Sequence, residues 1–280
     1  MSTTKTKLAG VIGNPIGHSL SPALHTFLAE QTETDMAYLA FQPERSQLGQ
    51  LFEGARMMNA LGFNVTSPFK VDVPQFMDEL DAEAHKMGNI NTVVNRNGKW
   101  VGYNTDGEGF IRALVRRGFT AKGKKVLLLG TGGTARTLSY KLAQNGAESI
   151  TISSRKENAA QLLKPVVAEF KDTKLLSGTD AETSYDLVVN CTPIGMAPHI
   201  GETPMPAHVL YHQGMLCCDL IYNPAKTRFL QEAEQNGASI LNGMNMFLYQ
   251  GILAFELFTG QPLPLKICDK VFEKWSHQHD

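Results

Sequence analysis

The sequence holds little that would commit it to a membrane, to nucleic acid or to an oxidising compartment. Its four cysteines, Cys191, Cys217, Cys218 and Cys268, form no Cys-x-x-Cys pair and lie mostly in apolar surroundings. We read them as core thiols of a cytoplasmic protein, neither disulfides nor metal ligands. No apolar run reaches the length of a bilayer-spanning helix. The N-terminal Met-Ser-Thr-Thr-Lys-Thr-Lys lacks an apolar core, so no secretory signal is expected. There is no basic run and no interleaving of aromatic with basic residues. With 26 Lys and Arg against 27 Asp and Glu, the formal net charge is −1, which provides no field to hold nucleic acid or an acidic surface. Repeats of solenoid period and low-complexity segments are also missing. The remainder, 42% hydrophobic and 19% charged over 280 residues, describes an ordinary globular chain long enough for two domains.

What is present is organised around Lys124 to Arg136, Lys-Lys-Val-Leu-Leu-Leu-Gly-Thr-Gly-Gly-Thr-Ala-Arg. Val126 to Leu129 is apolar without alternation, as in a strand buried on both faces of a parallel sheet. Gly130, Gly132 and Gly133 follow at once, and then a helical stretch. Strand, glycine turn and helix form the context of a dinucleotide-binding fingerprint. There the glycines let the backbone approach a pyrophosphate, and the new helix presents its N–H groups to the anion. The spacing is Gly-x-Gly-Gly-x-Ala and departs from the usual Gly-x-Gly-x-x-Gly.

On either side the chain alternates strand and helix. Strands are expected at Leu8–Ile12, Met36–Phe41, Gly62–Val65, Ser149–Ser153, Tyr185–Asn190, Met215–Ile221 and Ser239–Leu241. Ser21-Pro22 reads as a helix start with Ser21 as N-cap. Asn97-Gly98 between two apolar runs signals a type I′ hairpin. Helices are expected at Leu48–Met58, from Thr105 or Asp106 to about Val115, to about Phe170, and over Thr227–Asn236, Gly243–Phe258 and Lys266–Trp275. Phe69 to Asp81 reads as mixed helical and polar. The fold class that follows is α/β, with two α/β domains: residues 1–104 with a mostly parallel sheet, residues 105–241 as a doubly wound Rossmann-type domain, and the helices of 242–280 packing back on the first. A cleft between two such domains is the expected ligand site.

Five stretches, in order and with matching spacing, give the chain a resemblance to a known family. They are Gly17-His18-Ser19-Leu20-Ser21-Pro22; Asn64-Val65-Thr66-Ser67-Pro68-Phe69-Lys70; Gly88-Asn89-Ile90-Asn91-Thr92 with Asn104-Thr105-Asp106; the glycine stretch; and Asn190-Cys191-Thr192-Pro193-Ile194-Gly195-Met196. Tyr222, Thr227 and Gln250 stand at later landmarks. Over nearly its whole length the chain resembles the shikimate dehydrogenase family, which includes quinate dehydrogenases. The resemblance implies NADPH-dependent reduction of 3-dehydroshikimate to shikimate on the way to aromatic amino acids, with a substrate domain first and an NADP-binding domain second.

Hydride transfer to a ketone leaves negative charge on oxygen, which calls for an aimed cation or proton donor. Lys70 is the candidate, with Asp106 as the carboxylate that fixes it; both also read as a solvated lysine and an N-cap. Ser19 and Ser21 resemble the family's carboxylate-binding pair. Asn64, Thr66, Asn91 and Gln250 are expected on ring hydroxyls, and Tyr222 reads equally as packing or a substrate contact. The cofactor, NADP, is assigned to Gly130, Thr131, Gly132, Gly133, Thr134 and Ala135, to Thr192, Pro193 and Met196, and to Gly243. Ser154, Arg155 and Lys156 stand where an NAD site would place an acid, and suit a 2′-phosphate. They depart from the family's usual Asn-Arg-Thr, so the strength of the NADP preference stays open. Thr26, Asn89 and Asn245 also depart from the usual residues and leave room for a substrate such as quinate. His18 and His25 read as structural, with no third ligand at metal-binding spacing. The expected partner is a small-molecule substrate, the expected state a monomer or homodimer. Rival readings are a catabolic, NAD-linked quinate/shikimate dehydrogenase and a non-catalytic shikimate-binding sensor.

Overall fold

A computed structural model describes residues 3–155, 158–177 and 184–276; Lys156 lies outside the described residues. The chain divides into two compact units. One comprises the residues up to Asp106 together with Leu248–Lys274, and the other comprises Gly107–Phe247 with the chain end from Trp275.

The first unit contains β1 (Lys7–Ile12), α1 (Ser21–Gln31), β2 (Met36–Phe41), α2 (Leu48–Met57), β3 (Gly62–Val65), β4 (Glu79–Leu80), α3 (Ala82–Met87), β5 (Thr92–Arg96) and β6 (Lys99–Tyr103). Its sheet runs β2-β1-β3-β5-β6-β4. β1 pairs in parallel with β2 and β3, as expected from crossovers through α1 and α2. β5 then runs antiparallel to β3 and β6, which makes the sheet mixed. The cause is the two-residue turn, with Arg96 opposite Lys99 and positive φ at Asn97 (56°) and Gly98 (87°), as a type I′ turn requires. One face buries Phe52, Phe63 and Trp100; the other buries Ala9, Val11, Tyr38, Val94, Ala254 and Phe258.

Two details differ from the sequence reading. Ser21 does not cap α1: it is the first helical residue, Leu20 occupies the cap in helical geometry, and no side chain caps the helix, with Pro22 in the first turn. In addition, the polar stretch Phe69 to Asp81 is resolved into two 3₁₀ turns and β4, and is followed by α3, which the sequence reading omits. Asp81 caps α3 by accepting from the Glu83 and Ala84 N–H groups, and Gly88 (φ 63°) closes it. With only Ala84 and Met87 buried, α3 has too short an apolar stripe to show as a period.

The second unit holds most of α4 (Asp106–Arg116), then β7 (Lys125–Leu129), α5 (Gly133–Gln144), β8 (Ser149–Ser153), α6 (Ala159–Val167), β9 (Lys174–Ser177), β10 (Leu187–Asn190), β11 (Leu216–Asp219), α7 (Arg228–Gln235) and β12 (Ser239–Leu241). Its sheet, β12-β11-β10-β7-β8-β9, is parallel throughout, as in a doubly wound domain. α6 ends three residues before Phe170, the expected limit, and carries Pro165 in its last turn. α8 (Met244–Thr259) and α9 (Leu265–Ser276) complete the chain. The cysteines are free thiols. Burial pushes Cys191, Cys217 and Cys218 upward, Cys217 to about 12. Among the described residues no helix is long and apolar enough to cross a membrane, and no cluster of His, Cys, Asp and Glu is placed to hold a metal ion.

His25 is buried in the first unit. Its ring stacks on Tyr38 at 4.2 Å with the planes 1° apart, and Phe255 and Phe258 flank it. Neither ring nitrogen has a well-formed hydrogen bond, and Asn64 beside it offsets only part of the desolvation that holds its pKa down, from 6.5 to about 3. The unfolded chain therefore takes up a proton below about pH 6.5 that the folded chain refuses, and stability falls as pH drops through that window. Urea unfolding of His25→Phe between pH 6 and 4 should show a shallower loss of stability than the parent, by up to about 1.4 kcal/mol per pH unit. Equal slopes would mean that the buried ring charges in the native state.

Candidate active site

Lys70 follows β3 in a 3₁₀ turn, Phe69–Val71, anchored by the buried Phe69 ring. The Lys70 carbonyl accepts from the Ile90 N–H at 2.9 Å, which fixes the backbone from which the side chain leaves. Asp106 opens α4, and its N–H donates to Asn104 Oδ1 at 3.1 Å. The two side chains meet, Lys70 Nζ donating to Asp106 Oδ2 at 2.5 Å. Their side chains are 18% and 7% exposed, so the pair is largely desolvated while the ammonium still reaches the surface. The other carboxylate oxygen, Oδ1, accepts from Asn91 Nδ2 at 2.8 Å. Each oxygen of Asp106 thus has its own donor, and the carboxylate cannot swing.

Asn91 is held in turn. Its Oδ1 accepts from the Thr105 N–H at 2.7 Å, which points the amide nitrogen toward Asp106, Thr105 Oγ1 (3.0 Å) and Gln250 Oε1 (3.3 Å). Asn64, on β3, donates to Thr92 Oγ1 at 3.2 Å and accepts from the Tyr38 phenol at 2.7 Å. Ser19 Oγ accepts from the Ser21 N–H at 3.2 Å. Thr66, half-buried just after β3, is held by its backbone, its N–H donating to the Ile12 carbonyl at 2.9 Å and its carbonyl accepting from the Phe69 N–H at 3.0 Å. The first unit therefore brings together Lys70, Asp106, Asn91 and Gln250 in one connected network, with Asn64 joined through Thr92. Tyr222 belongs to the second unit, where its ring packs on Phe247 at 5.2 Å. Beyond its one ammonium–carboxylate pair this network is built of neutral amides and hydroxyls, which suit a polyhydroxylated ring.

In the second unit the turn after β7 fits a nucleotide. Gly130 sits at φ 107°, and a Cβ there would lie 2.9 Å from the Thr192 methyl. Gly132 is the extended N-cap of α5, with no side-chain cap, and a Cβ there would meet nothing. The start of α5 thus has the open, side-chain-free approach that a pyrophosphate needs, flanked by Thr131, Thr134 and the buried Ala135. Arg136, one turn into this helix, has a buried Nε without a hydrogen bond, and burial lowers its pKa. The sequence reading passed over it; its signal is a cation one turn after a glycine turn. Ser154 and Arg155 are exposed beyond the end of β8. The stretch after β10 is clamped by Asn190, whose Oδ1 accepts from the Thr192 N–H (2.9 Å) and hydroxyl (2.7 Å) and whose Nδ2 donates to the Ile194 carbonyl (2.9 Å). Pro193 and Met196 are exposed on it. Buried Asp219 fixes Asn190 at 3.1 Å and accepts from Thr227 at 2.6 Å, and burial raises its carboxyl. Gly243 allows a close backbone approach, since a Cβ there would stand 2.1 Å from the Leu220 carbonyl oxygen.

Two glycines separate packing from ligand access. Gly243→Ala should destabilise the fold by about 1–3 kcal/mol, because backbone must move. Gly132→Ala should cost less than about 1 kcal/mol. Denaturant midpoints of the two variants give the comparison; equal losses would contradict the open cradle at Gly132.

The chain is similar to proteins of known activity. The family model described as the shikimate dehydrogenase substrate binding domain matches residues 11–93, and that described as the shikimate 5′-dehydrogenase C-terminal domain matches residues 243–271. The shikimate dehydrogenase (NADP(+)) of Bacillus cereus (strain G9842) is 43% identical over 258 residues, covering 91% of this chain and 93% of the relative. A crystal structure of shikimate dehydrogenase in complex with NADP+ superposes with a TM-score of 0.89 at 35% identity, covering 98% of this chain and 97% of that one. Shikimate 5-dehydrogenase from Listeria monocytogenes, in complex with shikimate and NAD, superposes at 0.85 with 34% identity, covering 97% and 98%.

Proposed function

This chain belongs to the shikimate dehydrogenase family, and we propose that it catalyses the reversible, NADPH-dependent reduction of 3-dehydroshikimate to shikimate. It is an NADP-dependent oxidoreductase acting on a CH–OH group. The observation that carries the reading is the Lys70–Asp106 pair at 2.5 Å, set among neutral hydrogen-bonding groups. We assign the substrate to the first unit and the nucleotide to the second.

When bound, the nicotinamide of NADP would supply or accept the hydride. Lys70 Nζ stands at the substrate oxygen, stabilises the negative charge that grows there and delivers a proton to it. Asp106 keeps the ammonium in place and accepts from the neighbouring ring hydroxyl. In the oxidative direction Lys70 takes the hydroxyl proton back. Asn91, Asn64, Thr66 and Gln250 bind the remaining hydroxyls, and Ser19 and Ser21 receive the carboxylate without adding a counter-charge. The glycine turn from Gly130 to Ala135 takes the pyrophosphate, Ser154, Arg155 and Lys156 take the 2′-phosphate, and Thr192, Pro193, Met196 and Gly243 border the nicotinamide end.

Following NADP+ reduction at 340 nm with shikimate and then quinate tests the assignment. Shikimate should be the better substrate and NADP+ the better cofactor; a clear preference for quinate with NAD+ would favour the catabolic reading. Lys70→Ala should lower kcat by roughly 10²–10⁴-fold with KM for shikimate little changed, since its proton is needed chiefly in the transition state. Near-normal turnover in that variant would remove Lys70 from the chemistry. Arg155→Ala should raise KM for NADP+ and leave KM for NAD+ unaltered.

A further inference from the structure

The hydrogen bonds of the first unit have a direction. The Tyr38 phenol donates to Asn64 Oδ1 (2.7 Å), and Asn64 Nδ2 donates to Thr92 Oγ1 (3.2 Å). Thr92 Oγ1 donates to Asn91 Oδ1 (3.0 Å), and Asn91 Nδ2 donates to Asp106 Oδ1 (2.8 Å). Every proton in this chain points toward the carboxylate. Tyr38 is its far end, 5% exposed on β2 and stacked on His25.

The links differ in how firmly each amide is oriented. Asn91 has a second lock, the Thr105 backbone N–H on its Oδ1 at 2.7 Å. A backbone donor cannot reverse, so Asn91 keeps its orientation whatever happens upstream. Asn64 has no such lock on its oxygen. Its nitrogen faces Thr92 Oγ1 and the Asn91 carbonyl at 3.4 Å, and the hydroxyl of Thr92 could serve either end of an amide. The contact of its nitrogen with the Asn91 backbone carbonyl, at 3.4 Å, is at the limit of a hydrogen bond, so the strongest hold on which end of Asn64 faces inward is the 2.7 Å donation from the phenol of Tyr38. His25, neutral through burial, cannot replace that proton with a charge when the pH falls in the working range.

We infer that Tyr38 is a positioning residue for the substrate site, fixing the amide orientation of Asn64 from behind without touching the substrate. This rests on the assignment of Asn64 to the substrate. Because Asn91 is locked independently, the influence of Tyr38 ends at Asn64 and does not reach the Lys70–Asp106 pair. Its loss therefore acts on substrate binding and spares the chemical step.

Tyr38→Phe removes one hydroxyl at nearly constant volume. KM for shikimate should rise about tenfold, the scale of one misdirected hydrogen bond, with kcat within about twofold and KM for NADP+ unchanged. In an Asn64→Leu background the same substitution should add nothing further, since the group it orients is gone. If Tyr38→Phe alone does not fold, the double variant, which has no stranded amide, should fold and show the KM of Asn64→Leu, which supports the same coupling. An unchanged KM in Tyr38→Phe, a second full rise in the Asn64→Leu background, or a fall in kcat at constant KM each overturns the inference while leaving the dehydrogenase reading intact. A parent enzyme that oxidises no shikimate overturns both.

Discussion

The geometry of the first unit depends on keeping one carboxylate from moving. Asp106 has two oxygens, and each is engaged by a different side chain, Lys70 on one and Asn91 on the other. A carboxylate held at one oxygen would still swing, and the ammonium paired with it would swing too. Held at both, it turns a flexible lysine into a cation at a defined position. The supporting groups come from separate parts of the chain: the 3₁₀ turn after β3, the start of β5, the first turn of α4 and the middle of α8. That dispersion explains why the site needs the whole mixed sheet beneath it. The pair itself is partly desolvated, a costly arrangement unless its hydrogen bonds are complete. Here the completeness comes from the neutral amides around it.

The second unit applies the same economy to backbone. Glycines sit where a Cβ would strike a neighbouring carbonyl or methyl, at Gly243 and Gly130, and where an open approach is wanted, at Gly132. Asp219 and Asn190 act on the stretch after β10 much as Asn91 acts on Asp106, with a buried polar residue orienting the amide that clamps the loop.

Much of this was legible in the sequence, for identifiable reasons. Buried parallel strands such as Lys125–Leu129 read as unbroken apolar runs, and Asn97-Gly98 could hardly form anything except a tight hairpin. The doubly wound arrangement follows from strand and helix order. Lys70 and Asp106 were legible as a pair only through the motifs around them, since 36 residues separate them and no local period joins them. Three kinds of feature escaped. Short elements such as α3 and β9 have too few buried side chains to make a pattern. The role of Ser21 was misassigned because Ser before Pro is a cap signal, whereas here the backbone enters the helix one residue earlier. Tyr38 sits in an apolar strand and reads as core; only coordinates reveal that its hydroxyl has a partner across the sheet. The fold is encoded in short-range patterns, and the hydrogen-bond directions that refine the site are encoded in long-range pairings.

Cys217 and Cys218 are neighbours on β11, so their side chains project from opposite faces of the sheet and cannot join each other. Both are buried, with pKa values far above neutrality. Almost none of either is present as thiolate, the form that peroxide, alkylating agents and glutathione attack. The vicinal pair on β11 is therefore held in the form that these reagents attack least.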